Sequence, residues 1–340
     1  MKAAVFHRAG EPLTIEDVAD PAPGPGQVVL KVCRCGVCGT DLSMTSAGDG
    51  RPLAPGSLLG HEFSGEVVEL GPGVTQLKVG DLVTAQPTMG CGACPACLAG
   101  TPFWCTGAKP AGRASGFAEY TLSTQGSAVR LPHDVSLADA ALTEPFACGR
   151  HGVRRAGLRG GERVLVMGAG AIGLGTAYWA RRAGAAKVAV MARSDRRRAM
   201  AFAMGADSFL TTGDAPAAQA ADALGGAPDV VFECAGAPGA IAAAIDCVRP
   251  RGCVTVLGYC MKPDSFVPGT ALLREIDLRF AIVYDRTDFE ACLDALAGAD
   301  PAPRAMITGV VGFSAFPQAF EALRTSRDQC KLMLDPWAGR

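Results

Sequence analysis

The stretch RVLVMGAGAIGLGTA, residues 163–177, decides how the chain is read. A short apolar run ends in Gly168, Gly170 and Gly173, spaced G-x-G-x-x-G, and a helix-length segment follows. At a strand-to-helix turn the first glycine permits the tight turn, the second admits a pyrophosphate, and the third lets helix and strand approach. The helix opening at Ala171 and Ile172 then turns its positive end toward the phosphates. In a chain with 43 glycines the pattern alone could mark an ordinary turn. Its surroundings argue for more. Strand-like runs KVAVM, SFL, DVVFEC, CVTVL and LRFAIV follow, separated by helix-length segments. Strands with little polar alternation, spaced by helices, belong to a parallel sheet covered on both faces. The expectation is a doubly wound α/β domain holding a dinucleotide at Gly168, Gly170, Ala171, Ile172 and Gly173.

The end of the next strand indicates which dinucleotide. Folds that bind NAD place an acid about 20 residues past the glycines, where it accepts the ribose hydroxyls. Here Ala192 stands near that place, followed by Arg193 and Ser194 in the run ARSDRRR. Alanine removes the repulsion of a 2′-phosphate, and Arg193 with Arg197 offers forked donors to it. The plainer reading makes Arg196, Arg197 and Arg198 a solvated helix face behind a Ser194 cap. Three consecutive side chains cannot all face one ligand, so both readings hold in part. NADP(H) is favoured over NAD(H).

The whole chain has 340 residues, 49% of them apolar, which suits two packed domains. A net charge of −1 and 6% aromatics offer neither a field nor a stacking platform for nucleic acid. No apolar run reaches the ~20 residues that span a bilayer. The start MKAAVFH enters a strand without a signal-peptide core. Fourteen cysteines then point to reduced or metal-bound thiols, and a cytoplasmic protein is expected. Up to about Pro132, short β-rich runs alternate with Gly/Pro turns, as in a partly open barrel or sandwich. The tail, with a helix DFEACLDALAGA, a strand ITGVVGF and a helix FPQAFEALRTS, is assigned to that first domain. The expected division is 1–150 with 287–340 against 151–286.

Cys91, Cys94, Cys97 and Cys105 fall within fifteen residues, CGACPACLAGTPFWC. Four thiolates so close suit a closed tetrahedral zinc that stabilises a loop too small for its own core. Only Lys109 and Arg113 are basic neighbours, too few for a nucleic-acid module. A second group is dispersed: Cys38, Thr40 and Asp41 in GVCGTDL, His61 and Glu62 in GHE, and Glu144 in TEP. Singly, each is more often structural.

With the four-cysteine loop and the nucleotide fold, these motifs make the chain resemble the zinc-dependent medium-chain alcohol and polyol dehydrogenase family over essentially its full length. The resemblance implies a GroES-like β-rich catalytic domain, a Rossmann coenzyme domain, and homodimers or homotetramers. It implies a catalytic zinc held by Cys38, His61 and Glu144, with Glu62 as an alternate ligand. A carboxylate third ligand and the ARSDRR stretch look like the NADP(H)-dependent ketose reductase variant of the sorbitol dehydrogenase group. The implied reaction moves a hydride between the cofactor and a secondary alcohol, polyol or ketone, with zinc as Lewis acid on the substrate oxygen. Thr40 would relay the proton and Asp41 would orient His61. Ser43 stands near the place where the family often carries a relay histidine. Phe117 and Tyr120 are candidates for the substrate cleft, with core packing the plainer role for Phe117. His151 is read as structural. The absence of an evident anion clamp favours a neutral substrate. Two other readings stand beside this one: an NAD-dependent diol or amino-alcohol dehydrogenase of the butanediol or threonine type, and a zinc-stabilised nucleotide-binding protein without turnover.

Overall fold

The computed structural model describes residues 1–47, 53–107, 112–298, 300–325 and 328–339, so Lys109 lies outside the described residues. The chain divides into two compact units, Met1–Glu144 with Asp285–Arg340, and Pro145–Tyr284.

The second unit is built on six parallel strands: β1 (Arg163–Met167), β2 (Lys187–Ala192), β3 (Ser208–Thr211), β4 (Val230–Glu233), β5 (Cys253–Val256) and β6 (Asp277–Phe280). They lie in the order β3-β2-β1-β4-β5-β6. In register, Leu165 sits between Ala189 and Val231, and all three are fully buried. Helices cover both faces, which is why these strands read as unbroken apolar runs. The strand order reverses between β1 and β4, and ligands of such sheets bind in the crevice beyond the strand ends at that point.

The helix Thr143–Ala156 packs onto this unit. Trp179 Nε1 donates to the Phe146 carbonyl at 3.1 Å. A Cβ on Gly149 would lie 2.7 Å from the Thr176 amide, so only glycine lets the helix Ala171–Arg182 come this close. These contacts set the boundary after Glu144, several residues before the expected 150.

The first unit is β-rich. Its long strand Gln27–Gly36 pairs antiparallel with Glu62–Leu70, Tyr120–Thr124 and Lys331–Leu334. Ile307–Val311 extends the sheet alongside Lys331–Leu334. Phe313, Phe316, Phe320 and Leu332 from the tail share one core with Phe63, Val28 and Leu30. Burying such a side chain contributes about 1.5–3 kcal/mol, which fixes the tail in this unit. Phe117 belongs to that core, fully buried and edge-on to Phe316 at 4.9 Å, so it does not line a cleft. Tyr120 packs edge-on against Trp337 at 5.8 Å. Among the described residues no helix is long and apolar enough to cross a membrane.

Candidate active site and cofactor loops

Strand register assembles the dispersed group. Gly36 pairs with Glu62, so Cys38 leaves the sheet just past one strand and His61 just before the other. A Cβ on Gly36 would collide with a Glu62 carboxylate oxygen, and one on Gly60, where φ is +88°, would meet the Phe117 ring. Cys38 is the N-cap of the helix Gly39–Met44, and its sulfur accepts the Thr40 amide at 3.5 Å. Ligand atoms of Cys38, His61 and Glu62 lie within 4.8 Å of one another. Glu144 stands outside that tight group. It is buried, in the first turn of the helix Thr143–Ala156.

Two residues back this group. Asp41, 1% exposed, accepts the Cys38 amide through Oδ2 at 2.9 Å and faces His61 Nδ1 through Oδ1 at 3.3 Å. Burial opposes charge on both partners. The attraction between them wins, lowering the Asp41 pKa and, with Cys38, holding that of His61 well above the usual imidazole range. Lys331 was not singled out from the sequence. Its Nζ donates to Glu62 at 2.7 and 2.6 Å and to the Val37 carbonyl at 3.1 Å. Burial favours the neutral amine, but the Glu62 carboxylate outweighs it and raises the pKa of Lys331. The only hint in the sequence is a lysine opening the apolar run KLML.

The donor set suits a metal. A sulfur and an imidazole converge, and the other imidazole nitrogen is already turned to a carboxylate, the usual support of a zinc-bound histidine. In the second cluster, Cys91 Sγ lies 4.0 Å from Cys97 Sγ, and Cys94 Sγ 3.9 Å from Cys105 Sγ. A Zn–S bond of about 2.3 Å in a tetrahedron places sulfurs about 3.8 Å apart. None of the fourteen cysteines, all among the described residues, is in a disulfide. Amides of Cys94 and Gly107 point at sulfurs of the loop at 3.4 Å. Amides of Cys97 and Thr106 pull the Cys94 thiol down to about 6, while burial pushes the Cys97 thiol up to about 12, so the thiolate a metal requires is favoured at Cys94 and not alike at every sulfur.

In the second unit the glycines meet their geometric demand. Gly168 has φ +109°, Gly170 is the N-cap of the helix Ala171–Arg182, and a Cβ on Gly173 would collide with the Gly168 carbonyl. β2 ends at Ala192, and Arg193 and Ser194 are exposed in the turn beyond it. The next helix starts only at Arg198, with Arg197 as an N-cap that makes no side-chain cap bond, so Ser194 does not cap it. The turn is instead tied to the glycine loop, because Arg197 Nη1 donates to the Ala169 carbonyl at 2.8 Å. Arg198 is committed elsewhere, over the Phe209 ring at 5.1 Å and on its carbonyl.

Residues 24–133 match the alcohol dehydrogenase GroES-like domain, and residues 171–298 match the zinc-binding dehydrogenase family. The chain is 33% identical to a sorbitol dehydrogenase from Halalkalibacterium halodurans, covering 99% of each. It is 35% identical to an L-threonine 3-dehydrogenase from Streptomyces avermitilis over 98% of this chain and 99% of the relative. Two solved structures are similar over 98% of this chain and 99% of theirs. One is a zinc-binding dehydrogenase from Sinorhizobium meliloti bound to NADP, with TM-score 0.86 and 30% identity. The other is an alcohol dehydrogenase from Escherichia coli complexed with NADH, with TM-score 0.88 and 26% identity.

Proposed function

The chain belongs to the zinc-dependent medium-chain dehydrogenase family, and from that premise we propose that it transfers a hydride between NADP(H) and a secondary alcohol or polyol, or the corresponding ketone. As a member it is an NAD(P)-dependent alcohol or polyol dehydrogenase with a GroES-like domain and a Rossmann sheet. The observation that carries the finer reading is the end of β2. Ala192 presents no carboxylate, Arg193 is exposed beside it, and Arg197 is anchored on the glycine loop. A 2′-phosphate there meets cationic donors and no carboxylate at the strand end itself. The test is kcat/KM with NADPH against NADH. Wild type is expected to prefer NADPH, and Ala192→Asp to lower the NADPH value roughly 10- to 100-fold through a like charge at the phosphate. A wild type that prefers NADH overturns the reading.

Cys38, His61 and Glu144 would hold the catalytic zinc, with Glu62 exchanging onto it. Lys331 engages both Glu62 oxygens, which favours Glu144 as the resting ligand. When bound, the zinc supplies a Lewis acid and the nicotinamide a hydride carrier. Thr40, beside Cys38 in the chain, would hydrogen-bond the substrate oxygen and move its proton, while Asp41 fixes the His61 tautomer. Cys91, Cys94, Cys97 and Cys105 would hold a structural zinc. Metal analysis is expected to give two zinc ions per chain, and one would contradict this assignment.

The threonine dehydrogenase relative favours a second reading, an amino alcohol oxidised with NAD(H). A panel of alcohols, amino alcohols and ketones with both cofactors separates the two. Homo-oligomers fit the edge strand β6, paired among the described residues with β5 alone, whose own Phe280 is exposed, as are Val267, Leu272 and Leu273 shortly before it in the chain. Fourteen cysteines with no disulfide among them fit a reducing, cytoplasmic setting.

A further inference from the structure

Three loops converge beyond the carboxyl ends of β1, β4 and β5, where the strand order reverses, and Glu233 stands at their junction. It is the last residue of β4, 1% exposed. Its Oε1 accepts the amides of Ala235 and Gly236 at 2.7 and 2.8 Å. Its own carbonyl accepts the amides of Leu257 and Gly258 at 2.8 and 2.9 Å, just past β5. The contacts allow no side chain between them. A Cβ on Gly258 would collide with Glu233 Oε2 and the Gly236 amide. One on Gly236 would lie 2.9 Å from the Tyr259 amide. One on Gly168, in the glycine loop itself, would lie 3.0 Å from Ala235 N and from Cys234 O. Burial pushes the Glu233 carboxyl above its ordinary range, and the surrounding amides only partly oppose this. A buried carboxylate is a costly way to stabilise a turn that a shorter polar side chain could hold, and its position coincides with the crevice where such sheets bind dinucleotides.

We propose that Glu233 is a positioning residue of the dinucleotide site. By tying the amides of residues 235 and 236 back onto the end of β4, its carboxylate shapes the loop after β4, which backbone contacts then seat against the glycine loop and the loop after β5, and so preorganises the wall that receives the cofactor beyond its adenosine half. In such a fold the adenosine half would lie over β1 to β3, the glycine-loop side of the reversal, and the nicotinamide half over β4 to β6. Loss of the carboxylate therefore frees the amides of residues 235 and 236 and lets the second half of the site spread, while the β2 end is untouched. The inference rests on the nicotinamide cofactor of the family but not on NADP(H) over NAD(H).

The test compares Glu233→Ala and Glu233→Gln with wild type by fluorescence titration of NADPH and NADH. Competing titrations use 2′,5′-ADP and 5′-ADP, which carry only the adenosine half, and thermal melts accompany them. Glu233→Ala is expected to weaken the preferred dinucleotide roughly 10- to 100-fold, the range for buried donors left without an acceptor. The adenosine fragments should stay within about threefold of wild type, because the donors freed lie on the other half of the site. Glu233→Gln, which keeps one acceptor oxygen, should fall between. In turnover, kcat/KM for the cofactor should drop more than kcat at saturation. Unchanged dinucleotide affinity, or parallel loss of dinucleotide and fragment, overturns the proposal in favour of a purely structural brace. If Glu233→Ala does not fold, the dinucleotide-to-fragment ratio of Glu233→Gln decides, and an unaltered ratio overturns it. Wild type that binds neither dinucleotide removes the cofactor reading itself, and the proposal with it.

Discussion

The loop of Cys91, Cys94, Cys97 and Cys105 and the group of Cys38, His61 and Glu62 lie in one unit but are assembled in opposite ways. The first takes four sulfurs from fifteen consecutive residues, near the surface, and backbone amides orient them. The second gathers a sulfur, an imidazole and a carboxylate from two strand ends, and buried charges behind it, Asp41 and Lys331, hold its members in place. Four thiolates close a metal's coordination, whereas a mixed and backed set leaves room for exchange. On the proposed reading, the contrast separates a site that would stabilise a loop from one that would do chemistry.

The largest effect is expected from Cys38→Ser. A serine hydroxyl is a poor zinc ligand, so kcat/KM should fall at least about 1,000-fold, near 4 kcal/mol. One metal per chain should remain, in the four-cysteine loop, and the melting temperature should barely move. Activity within tenfold of wild type would erase the distinction between the two clusters. Lys331→Met comes next. It leaves Glu62 buried without its cation, and removing one partner of such a pair costs about 3–5 kcal/mol. Denaturant unfolding measures the loss, and the double change with Glu62→Gln should recover most of it. A double variant as unstable as the single one would show that Lys331 matters for packing rather than charge.

Cys94→Ser tests the other side. It should abolish one metal and lower stability by about 2–3 kcal/mol, the amount a site loses when its ligand had been present at about a hundred times its Kd. Activity per folded chain should stay within about twofold if the loop, as proposed, stabilises without touching the reaction. Wild type treated with a chelator strong enough to strip the loop should melt like the variant. An equally stable variant would leave the loop without a structural role.

The two clusters also differ in how legible they were. The four cysteines and the three glycines act on neighbours a few residues away, so their spacing already carries their geometry. GVCGTDL and GHE were legible as motifs, but their convergence depends on Gly36 pairing with Glu62, a register no local spacing encodes. Lys331 is 269 residues from Glu62 and shows only as a lysine before an apolar run. Glu233 shows only as an acid closing one, VVFE. Ser194 looked like a cap because its type and place fit. Arg197 instead bonds the Ala169 carbonyl, and the helix begins only at Arg198.

The smallest effect, and the one that most sharpens the contrast, belongs to Asp41→Asn. The variant keeps the side chain's size but not its two acceptors. Oδ2 takes the Cys38 amide and Oδ1 faces His61 Nδ1. An amide has one acceptor oxygen, so its NH2 must oppose one of those donors. If the Cys38 amide keeps the oxygen, the imidazole loses the partner that fixes its tautomer. If His61 keeps it, the N-cap of the helix carrying Thr40 loosens. Either way the metal ligands are less well aimed, and such a change typically costs 10- to 100-fold in metal affinity or activity. Titration with zinc distinguishes the two outcomes. Activity restored by excess metal assigns Asp41 to ligand affinity, whereas activity still low at full occupancy assigns it to the alignment of His61 and Thr40. The four-cysteine loop, whose sulfurs accept backbone amides, should bind its metal equally well in both proteins. Unchanged zinc affinity together with unchanged turnover would mean that the buried charge behind His61 is not what separates the two clusters.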